Sequence, residues 1–412
     1  MNLAILSSYI RKFGYEAKIF DSPLQRNFEE IINSFNPDII GIGGVTRTIL
    51  HGYKLADFSR KNNIFTIIGG VHASILPEEA IEHADAVIKG EGEKALLDVI
   101  RNRSRGIVEG ECIMNLDEIP IPSFDLLDMN YYSTTHTRNF ISLASYCPHN
   151  IKVGYLISSR GCPFRCIYCY NSYNPYKIRY HSPERVIEEM RLLKDKYNIG
   201  SICFLDDNML INQRRLKEIC LKIIREKIDL TWACNARVDN INDAILKILA
   251  KAGCVQLAFG FESGSPRILD ILNKKTIITS AINAINKCNE NNIIVSGNFM
   301  IGNPTETEED LQMSINFASS YEIDGGLGLS ITIPFPGTKL WVDYVQDYFK
   351  IKDLDWNSFD YINCPVSISN FSRETLLQKF NQIRSLFNML FIARKISREK
   401  KYLKIEGTRI NR

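Results

Sequence analysis

Apolar and polar residues alternate along the chain in short blocks that predict a repeated strand-and-helix fold. From residue 153 onwards, six apolar, β-branched or aromatic runs predict buried strands. They are VGYLISS (153–159), SICFLDD (201–207), LTWACNA (230–236), VQLAFGF (255–261), VSGNFMIG (295–302) and LGLSITIPF (327–335). Near-continuous apolar strands separated by helices indicate a parallel sheet that is covered by helices.

The segments between these strands have the periodicity of amphipathic helices. Residues 181–197 carry an apolar helical stripe, with Ser182 suited to cap the helix and Pro183 suited to begin it. Residues 214–227 and 242–253 predict two further helices, and the second of these ends at a glycine. Six such strand–helix units suit a partial (β/α)6 barrel, in which functional residues lie at the carboxyl ends of the strands.

A separate α/β unit, of the open parallel-sheet (Rossmann-like) type, is predicted before the barrel. Its pattern predicts helices at 2–16, 28–36, 49–61, 77–83 and 93–102, and strands at 17–21, 38–44, 64–70 and 86–90. The domain organisation that follows is residues 1–114 for this unit, 115–152 for a linker, 153–345 for the barrel, and 346–412 for a helical C-terminal extension with a basic tail. Within the extension, residues 375–396 carry an apolar helical stripe that would cap the open side of the barrel.

Composition agrees with a soluble enzyme of two domains. The formal net charge of +3 argues neither for nor against nucleic acid, and no nucleic-acid partner is expected. No apolar stretch approaches the roughly 18 residues that a membrane span requires. Most of the 11 cysteines stand singly in apolar segments, which is typical of reduced thiols in a cytoplasmic protein.

Three of the cysteines lie within eight residues, at Cys162, Cys166 and Cys169 in SSRGCPFRCIYCYN. This Cys-x3-Cys-x2-Cys spacing places three thiolates on one tight loop, enough for three irons of a four-iron cluster, with the fourth iron open to a small molecule. A structural zinc site would need four closed ligands, and a ferredoxin cluster would need four cysteines. The spacing therefore favours an open iron–sulfur cluster over a zinc loop or a set of buried thiols.

The loop resembles the signature of the radical S-adenosylmethionine (SAM) superfamily, in which an aromatic residue, here Tyr168, precedes the last cysteine. The resemblance implies a [4Fe–4S] cluster whose open iron is chelated by SAM. It also implies reductive cleavage of SAM to methionine and a 5′-deoxyadenosyl radical that abstracts hydrogen from a substrate.

Polar residues follow the ends of the predicted barrel strands, and FGFES and IGNPTE resemble SAM-binding segments of the superfamily. By position, Asp206 and Asp207 would bind the amino group of SAM, although the usual Gly-Gly-Glu is absent, and Arg237 and Glu262 would reach the ribose or the carboxylate. Taken singly, each residue also fits an ordinary cap or salt bridge; together, at successive strand ends, they favour a site. The predicted SAM-binding residues are Tyr168, Asp206, Asp207, Asn235, Arg237, Glu262, Ser263 and Gly302.

Small residues mark the strand ends of the N-terminal unit, where an open α/β sheet has its ligand crevice. GGVHAS (69–74), PEEA (77–80) and GEGE (90–93), with the linker DEIPIPSFDLLD (117–128), resemble the cobalamin-binding branch of the superfamily. The resemblance implies cobalamin at Thr46, Gly69, Gly70, Gly90, Glu91 and Gly92.

Two departures from that branch bear on cobalamin binding. The Asp-x-His-x-x-Gly loop of the better-known cobalamin proteins is absent, and His72 is not expected to ligate cobalt. Members normally begin with a strand and a proline-rich loop before the helix that here starts at residue 2. The N-terminal domain is therefore expected to lack its first strand.

The resemblance implies a radical SAM enzyme, with a cobalamin-dependent methyltransferase acting on an unactivated carbon as the main hypothesis. A radical oxidoreductase or cyclase without functional cobalamin is the enzymatic alternative, and an iron–sulfur binding or sensor protein is the alternative of another class. The implied partners are a small-molecule or carrier-bound substrate and an electron donor such as flavodoxin or ferredoxin.

Overall fold

The computed structural model describes residues 1–22, 24, 27–134, 147, 151–172, 177–346, 354–363 and 365–410. The chain divides into two compact units, each built from two segments. Unit 1 comprises Met1–Met129 and Pro334–Asp360, and unit 2 comprises Asn130–Ile333 and Tyr361–Arg412.

Unit 1 is built on a parallel sheet of four strands in the order β1-β2-β3-β4. Ile67 and Ile88 from the sheet pack with Ala95 and Val99, so that the apolar faces of sheet and helix form a core. The strands are β1 (Ile39–Gly43), β2 (Phe65–Gly69), β3 (Ala86–Gly90) and β4 (Gly106–Gly110); the helices are α1 (Asn2–Arg11), α2 (Phe28–Phe35), α3 (Ile49–Lys61), α4 (Val71–Ile75), α5 (Pro77–Ala80) and α6 (Gly92–Asn102).

Two features of unit 1 differ from the sequence-based expectation. The predicted strand at 17–21 is wrong: these residues are irregular, because a strand needs a ladder partner and no described strand pairs with them. Residues 106–110 form β4, which the apolar pattern does not indicate because two glycines bracket only three residues. Pairing with β3, Ala86 opposite Gly106, makes this segment a strand.

The described residues between 334 and 360 belong to unit 1, whereas the sequence assigns residues up to 345 to the barrel and residues from 346 onwards to an extension. This segment contains helix α14 (Lys339–Tyr344) and a buried aromatic cluster. Trp356 lies 5.0 Å from Phe359 and 6.0 Å from Trp341, measured between ring centroids. The indole N–H of Trp356 donates to the carboxylate of Glu79 at 3.1 Å. Burial of three large aromatic rings stabilises this return of the chain to unit 1.

Unit 2 contains a parallel sheet of six strands whose neighbours follow chain order, β12-β11-β10-β9-β8-β5. This sheet, covered by helices, is the predicted partial barrel. The strands are β5 (Val153–Leu156), β8 (Ser201–Phe204), β9 (Thr231–Ala236), β10 (Cys254–Glu262), β11 (Ile294–Ile301) and β12 (Leu327–Ile331), and a short antiparallel pair is formed by β6 (Ser159–Arg160) and β7 (Arg179–Tyr180). The helices are α7 (Met129–Thr134), α8 (Pro183–Tyr197), α9 (Gln213–Arg225), α10 (Asp243–Lys251), α11 (Pro266–Ile271), α12 (Ile278–Glu290), α13 (Glu308–Ser320) and α15 (Arg373–Ile410).

Helix α8 begins where the sequence predicts it. The side chain of Ser182 accepts a hydrogen bond from the backbone N–H of Arg185, and Pro183 occupies the first turn. Proline costs nothing there because its missing N–H would have no partner within the helix. The helix ends at Asn198, which adopts the left-handed conformation.

The long helix α15 packs against β12, the last strand of the six-stranded sheet. The ring centroid of Phe387 on this helix is 5.3 Å from that of Phe299 on β11. Arg394 donates to the backbone carbonyl of Ala318 at 2.7 Å and Arg398 pairs with Asp324, so both belong to the fold of unit 2. The predicted apolar stripe thus faces the barrel through its buried members, Leu376, Phe380, Ile383 and Phe387.

Among the described residues, no helix combines the length and hydropathy needed to span a bilayer.

Candidate active site

The three cysteines of the signature lie on one loop that follows β5 and β6 in unit 2. Cys166 is buried, and Cys162 and Cys169 are partly buried. The backbone N–H of Cys169 donates to the carbonyl of Cys166 at 3.1 Å, which tightens the second half of the loop. Burial raises the pKa of Cys169 to about 11 and also raises the pKa of Cys162. Iron binding therefore has to displace thiol protons.

This donor set fits a cluster better than a single metal ion. Within the described ranges, no group of three or more His, Cys, Asp or Glu side chains is arranged to hold one metal ion. A structural zinc site needs four ligands converging at 2.0–2.3 Å. A cubane cluster instead binds each thiolate to a different iron, so its ligands stay apart. Three cysteines on one loop meet the second requirement and not the first.

Asp206 anchors the approach to the cysteine loop. Its carboxylate accepts hydrogen bonds from the backbone N–H of Ser158 at 2.6 Å, from the Ser158 hydroxyl at 2.5 Å and from the Ser159 hydroxyl at 2.7 Å. Burial raises the pKa of Asp206, and these donors oppose the rise. Asp207 accepts from the backbone N–H of Gly161 and from the Asn171 side chain. Both carboxylates predicted for SAM thus hold the loop in this structure.

Asp206→Ala is expected to lower the free energy of unfolding by about 3 kcal/mol, because it leaves buried donors without their acceptor. Urea denaturation at neutral pH measures the change. The matched control is Asp229→Ala, since Asp229 is an exposed carboxylate of the same unit. Equal unfolding midpoints for the two variants would show that the Asp206 bonds do not stabilise the loop.

A compact polar triad at the cysteine loop consists of Tyr168, Glu262 and Lys274. Glu262 Oε1 accepts from Tyr168 Oη at 2.9 Å and from Lys274 Nζ at 2.8 Å, and Lys274 Nζ is 3.3 Å from Tyr168 Oη. The Lys274 and Glu262 side chains are only 7% and 10% exposed, so the ion pair is largely desolvated. Burial, followed by the charge of Glu262, raises the pKa of Tyr168 well above that of a free phenol. Glu262 also has a φ of +64° at an irregularity of β10, a strained conformation for a residue with a side chain.

The remaining predicted SAM-binding residues lie at the ends of β9, β10 and β11. Asn235 Nδ2 donates to the carbonyl of Asp206 at 3.3 Å, linking two strand ends. The hydroxyls of Ser263 and Ser314 are 3.1 Å apart, which ties β10 to α13. Gly302, at φ +79°, donates its N–H to Glu306 at 2.6 Å. Arg237 reaches the cysteine loop, with Nη1 3.9 Å from Cys166 Sγ.

Glycines lie at the strand ends of unit 1, the edge where an open α/β sheet has its ligand crevice. Gly70 has a φ of +100°, and a Cβ there would lie 2.8 Å from the carbonyl oxygen of Gly44, so only glycine fits. A Cβ at Gly69 would meet its nearest atom at 3.8 Å, an ordinary contact. The N–H of Gly90 donates to Ser74 Oγ at 2.9 Å. The absence of side chains at these positions would let a flat ligand approach the backbone.

Polar side chains near these strand ends contact one another around the buried His72. Thr46 Oγ1 lies 3.1 Å from Nδ1 of the fully buried His72, and Glu79 Oε1 lies 3.4 Å from its Nε2. The Tyr53 hydroxyl donates to the same Glu79 oxygen at 2.9 Å. His72 is therefore held by its neighbours, as a core histidine is.

Glu91 and Gly92 lie where β3 leads into α6. Glu91 accepts from the backbone N–H of Ile113 at 3.3 Å. Gly92 begins α6, where a Cβ would lie 3.1 Å from Leu6. The structure brings all six residues predicted for cobalamin to the strand ends of β1, β2 and β3 or the turns that follow them.

Comparison with known proteins agrees with both halves of this arrangement. The model of the Radical SAM superfamily matches residues 156–318, and the model of the B12 binding domain matches residues 1–100. An uncharacterized methyltransferase of Pyrococcus horikoshii is 33% identical over 405 residues, covering 91% of this chain and 84% of the relative.

The chain belongs to the radical SAM superfamily.

Its N-terminal residues 1–100 match the B12 binding domain, and further relatives and solved structures are similar over most of the chain. The anaerobic magnesium-protoporphyrin IX monomethyl ester cyclase of Rubrivivax gelatinosus is 25% identical, covering 97% of this chain and 76% of the relative. The fold matches the solved radical SAM methyltransferase TsrM from Kitasatospora setae at a TM-score of 0.66 and 16% identity, over 84% of this chain and 73% of that one. The predicted family, fold class and radical SAM enzyme function are confirmed.

Several residues of this radical SAM site escape prediction from the sequence. Lys274 lies in ILNKKT, which looks like an ordinary charged turn. Nothing in the sequence distinguishes it from the lysine that follows it. Ser158 and Ser159 look like the end of a strand. The signal that could have identified Lys274 is its position shortly after the GFES segment. A lysine that is buried near this segment needs a carboxylate as its partner.

Proposed function

We propose that this radical SAM enzyme is a cobalamin-dependent methyltransferase acting on an unactivated carbon. The observation that carries the proposal is the similarity to a protein named as a methyltransferase along 91% of the chain, through both the B12-type unit and the barrel. The glycines at the strand ends of unit 1 and the three-cysteine loop of unit 2 support it, because they are the kinds of residue that the two cofactors would require.

The chain's own residues would divide the work between the two sites. Cys162, Cys166 and Cys169 would hold three irons of a [4Fe–4S] cluster, and Tyr168 and Glu262 would position SAM. When bound, the cluster supplies the electron for SAM cleavage and cobalamin supplies a carrier for the methyl group. In unit 1, the strand-end backbone would hold cobalamin, and His72 would not ligate cobalt, since it is already bonded to Thr46 and Glu79.

The remaining SAM-side residues would act by fixing backbone at the strand ends. These are Asp206, Asp207, Asn235, Ser263 and Gly302. The first four bond to the cysteine loop, to a neighbouring strand end or to a helix, and Gly302 bonds to Glu306 in the turn that follows β11.

Two further assignments belong to the proposal. The substrate is a small molecule, free or carrier-bound, and a flavodoxin or ferredoxin delivers the electron. The proposed location is the cytoplasm, a reducing compartment, and it fits the finding that none of the ten described cysteines forms a disulfide bond.

The test is to incubate anaerobically reconstituted, cobalamin-supplied protein with SAM and a strong reductant. Methyl donation from SAM leaves S-adenosylhomocysteine, whereas reductive cleavage leaves 5′-deoxyadenosine, and both are expected. In Glu262→Gln, SAM affinity is expected to fall about tenfold, the size expected when a charged acceptor is lost. Iron content should stay unchanged, because Glu262 is not a ligand of iron. Equilibrium dialysis with labelled SAM measures the affinity.

The control for this variant is Glu189→Gln, which should bind SAM as the wild type does. Glu189 is a buried carboxylate on α8 that pairs with Arg185 and is not among the predicted SAM-binding residues. Glutamine at 262 keeps an oxygen that can accept from Lys274, so the buried lysine retains a partner. Wild-type affinity in Glu262→Gln would remove this residue from the SAM site.

The second candidate is a radical cyclase or oxidoreductase without functional cobalamin. It is favoured by the similarity to the cyclase of Rubrivivax gelatinosus over 97% of the chain. This enzyme would release 5′-deoxyadenosine without S-adenosylhomocysteine, so the same incubation separates the two candidates.

A further inference from the structure

We propose that Arg237 is a positioning residue of the cluster rather than a ligand of SAM, and that its guanidinium raises the reduction potential of the cluster. The inference rests on the proposed cluster at the three cysteines. Its central observation is that Arg237 Nη1 lies 3.9 Å from Cys166 Sγ, within reach of an N–H···S hydrogen bond, with both groups buried.

The guanidinium is fixed from its far side. Asp239 Oδ2 accepts from Nε at 3.0 Å and from Nη2 at 2.9 Å. Nη2 also donates to the Thr276 hydroxyl at 3.0 Å and to the backbone carbonyl of Lys274. These bonds occupy Nε and Nη2 and hold Nη1 toward Cys166, so that its direction is set before any cluster is present.

The cysteine loop is fixed by the same side chain. The ring of Phe164, which stands between Cys162 and Cys166 in the chain, has its centroid 3.7 Å from Cζ of Arg237. Stacking of a guanidinium on an aromatic face stabilises both groups, most strongly where water is excluded. The side chain is 8% exposed, which meets that condition. Arg237 therefore holds the loop by its planar face and the sulfur by one N–H.

The effect on the cluster follows from charge. Reduction adds an electron that is shared with the thiolate sulfurs, so a positive donor bonded to one of them stabilises the reduced state more than the oxidised state. Hydrogen bonds to the sulfurs and local charge are among the main determinants of cluster potential. Because Arg237 and Cys166 are buried, salt screens this interaction little.

Asp239, the negatively charged partner of Arg237, is expected to have the opposite effect on the reduction potential of the cluster. The Asp239 side chain is 28% exposed, and asparagine at this position keeps an oxygen that can accept from the buried Arg237. Without that carboxylate, the charge of Arg237 is less neutralised and acts more strongly on the cluster. The two residues are thus predicted to shift the potential in opposite directions, which a purely structural role would not do.

The experiment is an EPR-monitored redox titration of anaerobically reconstituted protein, with iron and sulfide measured in every sample. In Arg237→Met, the ratio of reduced to oxidised cluster at a fixed potential is expected to fall about tenfold, the size expected for one hydrogen bond to a charged acceptor. In Asp239→Asn the ratio is expected to rise. Arg267→Met is the control, since Arg267 pairs with Asp310 on α13 and should leave the wild-type potential unchanged.

Each outcome decides the inference. Opposite shifts in the two variants at full iron content support it. An unchanged potential in Arg237→Met with full iron overturns it, and so does an unchanged potential in Asp239→Asn, which remains decisive if the methionine variant fails to hold iron. A wild-type protein without any cluster would instead overturn the proposed function, so the two failures are distinguishable.

Discussion

Replacing Cys162, Cys166 and Cys169 together with alanine is expected to abolish iron and sulfide binding after anaerobic reconstitution. The wild type should hold about four of each, as one cubane cluster requires. The reason is the donor set, because three thiolates on a single loop would each bind one iron of the cluster. Iron and sulfide assays, with the visible absorption of the cluster, measure the loss.

Cys203→Ala and Cys254→Ala are the matched controls. Both thiols are buried in the strands of unit 2, with 0% and 3% exposure, and burial raises the pKa of both. Neither is placed to bind iron, so both variants should retain the full cluster. A triple variant that kept its iron would show that the loop is not the cluster site.

The second large effect is expected in unit 1, where Gly69→Leu should abolish stoichiometric cobalamin binding. A leucine at Gly69 fills the space beside the strand ends that a flat ring would need. Its Cβ meets only ordinary contacts, so the fold should tolerate it. Gly70→Leu would be a poorer choice, since a Cβ there collides with the backbone of Gly44 at a φ of +100°. The absorption spectrum of protein purified from cobalamin-fed cells measures the bound cofactor.

Gly41→Leu is the control for this change, because Gly41 lies within β1 and has no atom within 4 Å of an added Cβ. It should bind cobalamin as the wild type does. If Gly69→Leu still bound a stoichiometric amount of cobalamin, the strand ends would be excluded as the cobalamin site. A cofactor-free wild type that still cleaves SAM would contradict the methyltransferase proposal and favour the cyclase or oxidoreductase.

Local features of this protein could be predicted from the sequence because their causes lie close together in the chain. The cysteine loop is one example, since its three thiols lie within eight residues. The start of α8 is another, because Ser182 caps an N–H only three residues away. The barrel strands follow from apolar runs that need no partner to be recognised.

Tertiary structure alone decided which polar groups meet. Asp206 bonds to Ser158 across 48 residues of chain, Tyr168 to Glu262 across 94, and Trp356 to Glu79 across 277. The same holds for the direction of Arg237, which depends on partners from three separate segments. Composition and periodicity indicate whether a residue is buried. They do not indicate which partner the fold brings to a buried charge. The sequence by itself therefore determined the family and the fold class and predicted the cluster ligands, because these follow from local patterns. Only the folded chain determined which side chains meet around them.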